Sequence, residues 1–147
     1  MFLCRILCLN WTQYAHEQGG RGMDWMNVGL WVAQVVLAAM FLFAGAMKGF
    51  QYERARESLP WVQDVSKGLV TFIGVAELLG GLGLLLPALI GFLPWLTPLA
   101  AAGLALIMVL AAGFHARRGE GQGIAVNTVL LALAAFVAYG RWFVRPL

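Results

Sequence analysis

Residues 74–87 read GVAELLGGLGLLLP, a run of leucine and glycine with one carboxylate, Glu77, set inside it. Extended back to Gly68, the run becomes an apolar window from Gly68 to Leu86 in which Glu77 is the tenth of nineteen residues. At about 1.5 Å rise per residue, a helix of that length crosses a hydrocarbon core of about 30 Å. Downstream, no Asp, Glu, Lys or Arg occurs from Leu78 to Phe114. Three more windows have the same character: Val28 to Met47, Leu96 to Phe114 and Ile124 to Gly140. Backbone polar groups cannot go unpaired in lipid, so these windows predict helices, and segments of alternating polarity that would suggest a barrel are absent. The expected fold is all-α, a polytopic membrane protein built as a four-transmembrane-helix bundle.

Composition agrees. Of 147 residues, 61% are hydrophobic and 12% charged, against about 25% charged in soluble globular chains. The net charge of +3 comes from residues scattered between apolar windows, not from a stripe that could follow a phosphate backbone, so no nucleic-acid partner is expected. High mean hydropathy excludes a disordered chain. The connections, residues 48–67, 87–95 and 115–123, are too short for an extramembrane catalytic domain. Thr97-Pro98 reads as an N-cap followed by proline at the first helical position, starting the third helix at Pro98. Trp25, Trp31, Tyr52, Trp61, Trp95, Tyr139 and Trp142 fall at or near predicted helix ends, where amphipathic rings favour the headgroup layer.

Residues 1–25 are expected to form a poorly ordered extension, with 26–147 as the membrane domain. The apolar run Met1 to Leu9 is broken by Arg5 and has no small-residue cleavage site after it, so no cleaved signal peptide is expected. Cys4 and Cys8 have neither redox nor metal-knuckle spacing and are read as incidental. The first and third connections hold six Lys and Arg, whereas the tails and second connection hold four. This places the charged connections in the cytoplasm and both termini outside it, in a cell inner membrane.

Glu77 is the most informative residue, because an ionisable group near the bilayer midplane is costly and should face protein or water with a partner. Lys48, His115, Asn127 and Arg141 are the candidate partners on the other helices. Asn127 and Arg141 are fourteen residues apart and so share a face with Ala134 and Ala138, predicting one wall of a polar seam. Gly45 and Gly49 bracket Lys48, and Gly74, Gly80 and Gly81 surround Glu77; close helix packing is their expected use. A bis-histidine haem is not expected, since the only histidine besides His115 is His16. Neither a metal-binding motif nor a phosphate-binding GxxxxGK[ST] loop occurs.

The order FLFAGAMKGF, GVAELLGGLGLLLP, AAGFHARRGE and NTVLLALAAFVAYGRW along the chain resembles the DoxX-like family of small four-helix membrane proteins. The resemblance runs from about Met26 to Trp142 and implies a polar set of Lys48, Glu77, His115, Asn127 and Arg141. It also implies a role near thiosulfate:quinone oxidoreductase or oxidative-stress complexes, or in assembly, as in remote eukaryotic relatives. With no electron carrier of its own, the chain would use a quinone or a membrane redox partner subunit. The leading expectation is an accessory subunit of a redox-linked membrane system with a polar pocket around Glu77. The alternatives are a proton-coupled small-molecule exporter acting as a homodimer and a structural or assembly chaperone without catalytic activity.

Overall fold

The computed structural model describes residues 24–147. The expectations for Cys4, Cys8 and His16, and for all but the last two residues of the 1–25 extension, fall outside the described residues. The long helices are α1 (Trp25–Phe50), α3 (Lys67–Ile90), α4 (Leu96–Arg118) and α5 (Gly121–Tyr139), the last continuing through a π-helical turn, Gly140–Val144. Each of the four is long and apolar enough to cross a membrane. Between α1 and α3 lie a short helix, α2 (Tyr52–Ser58), and a 3₁₀ turn, Pro60–Asp64. No strand occurs among the described residues. The architecture is thus the expected all-α four-helix membrane bundle.

Local chemistry moves several boundaries. The Asp24 carboxylate accepts from the Asn27 backbone N–H at 3.3 Å, so α1 starts before Val28; it then runs past Lys48 to Phe50. Ser66 caps α3 by accepting from the Leu69 N–H, and Gly91, at φ +66°, closes that helix in the left-handed region glycine tolerates. Pro87, expected to end the second span, instead lies buried inside α3. Proline there leaves the Gly83 carbonyl without its helical donor. The adjacent Leu84 carbonyl receives the Gln34 side-chain amide from α1 at 2.9 Å, a contact that ties α1 to α3 beside the proline.

Thr97 is not an N-cap. The helix begins one residue earlier, where a turn through Leu93 and Pro94 accepts from the Leu96 and Thr97 N–H groups at 2.9 and 3.2 Å, and Thr97 itself is buried. Pro98 still falls in the first turn, where its missing N–H costs nothing. The third connection shrinks from 115–123 to Gly119 and Glu120 alone, because Gly119 at φ +69° ends α4 and α5 starts at Gly121.

Alpha-helix α1 packs most closely on α3, and α4 on α5. Glycine sets the first register: a Cβ on Gly74 would sit 2.5 Å from the Gly49 nitrogen and 2.9 Å from the Gly45 oxygen, so the two backbones touch. The two pairs meet along Gly80 and Gly83, which lie against Leu104 and Ala100 of α4, and along Gly140, which lies against Leu30 of α1. These contacts lie toward the end holding the start of α1 and the finish of α5, the terminal end. Toward the opposite, loop end, which holds α2 and the α4–α5 corner, the pairs enclose a cavity. Between the two ends the core is apolar, with Leu37, Phe41, Leu84, Leu104 and Met108 buried.

Candidate functional site

The glycine register that brings Gly74 against Gly45 and Gly49 also sets Lys48 within one helical turn of Glu77. Lys48 Nζ donates to both oxygens of Glu77, at 2.6 and 2.8 Å, distances suited to charge-assisted hydrogen bonds. The carboxylate side chain is 3% exposed and the lysine side chain 12%. An ammonium carries three N–H donors, and Glu77 occupies two. One donor remains for another acceptor.

Both residues line a cavity of about 970 Å³ at the loop end. Its walls are mostly apolar and come from all four long helices, while residues 58–61, between α2 and the 3₁₀ turn, narrow the mouth. Trp61 lies under Lys48, with Nζ 5.7 Å from the ring centroid, and meets Phe114 and His115 edge-on at 6.1 and 6.3 Å. The His115 ring rests on the Gly123 backbone, where a Cβ would come within 2.7 Å of it. His115 Nδ1 bonds Glu120 Oε2 at 2.6 Å. Arg118 Nε donates to the other Glu120 oxygen at 2.7 Å, and the same guanidinium holds Asp64 of the 3₁₀ turn. Arg118, and then His115, hold the Glu120 carboxyl below the usual carboxylate range. An ionised Glu120 accepts only, so it places the imidazole proton on Nδ1 and leaves Nε2 free.

Asn127 lines the same cavity and donates from Nδ2 to the Gly123 carbonyl at 2.7 Å. Of the five polar residues expected from sequence, Lys48, Glu77, His115 and Asn127 are therefore brought together. Arg141 is not. It shares a face with Asn127, but the buried side chains of Leu130, Ala134 and Val137 interrupt the expected polar wall. Arg141 belongs to a second cluster at the terminal end. There its Nε donates to Gln34 Oε1 at 2.6 Å, its Nη1 to Asn27 Oδ1 at 2.8 Å, and its guanidinium lies 5.2 Å from the Trp31 ring centroid. Arg145 beside it pairs with Asp24 at 2.7 Å.

Sequence reasoning missed Gln34, Asn27, Glu120 and Asp64, and read Trp61 only as an interfacial ring. Gln34 had a signal, as the only amide or charged side chain between Asn27 and Lys48. Glu120 and Asp64 had none, since their partners lie across turns. Among the described residues, no group of three or more His, Cys, Asp or Glu is placed to hold a metal ion.

Fold and site together define a small multi-pass membrane protein with a buried Lys–Glu pair on the wall of an apolar cavity. The DoxX-like family model matches residues 32–137, well over half of the sequence, and the chain belongs to the DoxX-like family. Neither a comparison with curated proteins nor one with solved structures gives a match.

Proposed function

We propose that this chain is an accessory subunit of a redox-linked system in a cell inner membrane, holding a small hydrophobic ligand of the quinone type beside Lys48 and Glu77. The observation that carries this reading is the buried ion pair with one donor to spare, facing an apolar cavity of about 970 Å³. Such a cavity suits a flat apolar ring, and its few polar groups suit carbonyl oxygens on that ring. Lys48 would donate to one oxygen, while Trp61 and Phe114 offer aromatic surface to the ring. Electrons would come from a partner subunit. The exporter reading asks for a carboxylate free to meet substrate, whereas both Glu77 oxygens are held by Lys48.

The test compares Glu77→Gln with wild type, measuring binding of a benzoquinone analogue and proton-coupled efflux in liposomes. Binding lost in a still-folded Glu77→Gln protein supports the pocket, and efflux lost in that variant supports the exporter. Neither activity in the wild type, with variants that still assemble with native partners, would leave the structural or chaperone role. Topology is tested separately: C-terminal reporter fusions should place Leu147 outside the cytoplasm, and a cytoplasmic signal would reverse the proposed orientation.

A further inference from the structure

The cavity has two candidate routes to the outside, toward the loop end and sideways between helices. The loop-end route is narrowed by α2 and the 3₁₀ turn, and Ser58, Pro60, Gly121 and Gln122 there line the cavity and are exposed. Ser58, Leu59, Pro60 and Trp61 form part of the cavity wall, Val62 behind them is fully buried, and Arg118 ties Asp64 to the α4–α5 corner. Gln63 adds a hydrogen bond to the Arg56 carbonyl at 3.2 Å. Sideways, the cavity wall is also the outer surface of the protein. Leu69 and Phe72 of α3 and Leu110 of α4 all line the cavity, yet they are 47%, 70% and 66% exposed. A side chain that faces both a cavity and the lipid marks a place where the wall is one residue thick.

This thin wall lies along the α3–α4 seam. Those helices are drawn together toward the terminal end, where Gly80 and Gly83 meet Leu104 and Ala100. Toward the loop end half-buried Ile73 and Ala76 on α3 and Ile107 and Ala111 on α4 lie behind the exposed residues, with buried Glu77 and Met108 deeper. The α1–α5 seam is less exposed: Met40 and Val126 reach the outside there at 44% and 46%, with buried Phe41, Asn127 and Leu130 behind them.

The geometry points to a lateral opening along the α3–α4 seam, through which the cavity takes a bilayer-dissolved amphiphile, its polar ring inward at Lys48 and its hydrocarbon tail left between Phe72 and Leu110. This inference rests on the reading of the cavity as a ligand site and adds the class of ligand and its route. His115 Nε2 is an acceptor, because Nδ1 carries the proton toward Glu120, so a carbonyl on the ring takes its hydrogen bond from Lys48 and not from His115. A tail that never leaves the lipid needs no apolar volume inside the protein. A water-soluble ligand would gain nothing from this opening.

The experiment uses the full chain in lipid nanodiscs and two probes: a 1,4-benzoquinone carrying a decyl tail, and the same ring without it. The quantity read is the ratio of their affinities. In Phe72→Trp/Leu110→Trp, which thickens the wall where the tail would lie, that ratio should fall about tenfold from wild type, because the added bulk crowds the tail in the opening. In Met40→Trp/Val126→Trp the ratio should stay at the wild-type value. An unchanged ratio in the first variant, or a fall in the second, would overturn the lateral route while leaving the ligand site standing. Failure of the wild type to bind either ring would remove the ligand site itself, and the route with it.

Discussion

The two ends of the bundle bury polar groups in opposite ways. At the loop end a cation meets a carboxylate, Lys48 with Glu77, beside open volume and with a donor left over. At the terminal end, buried Arg141 meets amide oxygens of Gln34 and Asn27 and the face of Trp31. There Gln34 passes the connection on to the Leu84 carbonyl beside Pro87, so one network ties α1, α3 and the end of α5 together. Arg141 also keeps a donor, Nη2, buried without a partner, but it lies outside the cavity and is held by fixed neighbours, and so serves to hold helices. A polar group that keeps an unused donor on a cavity wall is placed to meet something else. The terminal end is thus read as the clamp and the loop end as the binding site.

The largest expected effect comes from breaking the charge pair. Glu77→Leu leaves Lys48 buried without its counter-charge and should cost about 3–5 kcal/mol, measured by unfolding in detergent micelles. Adding Lys48→Met should recover most of that loss. If the double variant is no more stable than Glu77→Leu, the pair is not the source of the cost.

Next in size is the close approach that sets the pair. Gly74→Ala pushes a methyl against backbone atoms of α1, which cannot turn aside as a side chain can. It should destabilise the bundle by about 1–3 kcal/mol. Gly103→Ala, where nothing lies within 4 Å of the added carbon, should be near neutral. Equal melting of the two variants would mean that the α1–α3 contact does not set the register.

At the clamp, Gln34→Leu leaves Arg141 Nε buried without its partner, at about 1–3 kcal/mol, and removes the tie to the Leu84 carbonyl. The loss should appear as faster hydrogen exchange at the terminal end, with exchange at residues 60–64 unaltered. Uniform acceleration would show that the two ends do not act independently.

The smallest effect is the pH response of the latch over the cavity mouth. Because the Glu120 carboxyl is held below its unfolded value, chiefly by Arg118, its contribution is complete above the ordinary glutamate value of about 4.3. That contribution is lost as pH falls through the lower, folded value. Protection from exchange at residues 60–64, corrected for the intrinsic rate at each pH, should therefore fall in acid, and Glu120→Gln should remove the part of that response due to Glu120. A response identical in that variant would show that Glu120 is not its source.

Much of this was legible in the sequence, for reasons of length and cost. Apolar windows of seventeen to twenty residues have one stable form in lipid, so the four spans followed, and a lone carboxylate in such a window needs a partner, which singled out Glu77 and put Lys48 among four candidates. Helix ends were less legible. Pro87 reads as a terminator, but α3 runs on through it to Ile90. Thr97 reads as a cap until the Leu93–Pro94 turn takes over that work. Helical periodicity put Asn127 and Arg141 on one face correctly, but it carries no information on the apolar side chains that separate them along the helix axis. Glu120 and Asp64 become part of the site only through turns that bring them to Arg118.

The most direct measurement is a calorimetric titration of decyl-benzoquinone into the full chain in nanodiscs, comparing wild type, Lys48→Met and Gln34→Met, each first shown to be folded by its melting curve. If the loop end binds and the terminal end clamps, Lys48→Met should lose affinity by about tenfold or more, the worth of one hydrogen bond from a charged donor. Gln34→Met should melt earlier yet bind within about twofold of wild type. Wild-type affinity in folded Lys48→Met, or a loss confined to Gln34→Met, would contradict the division of labour between the two ends.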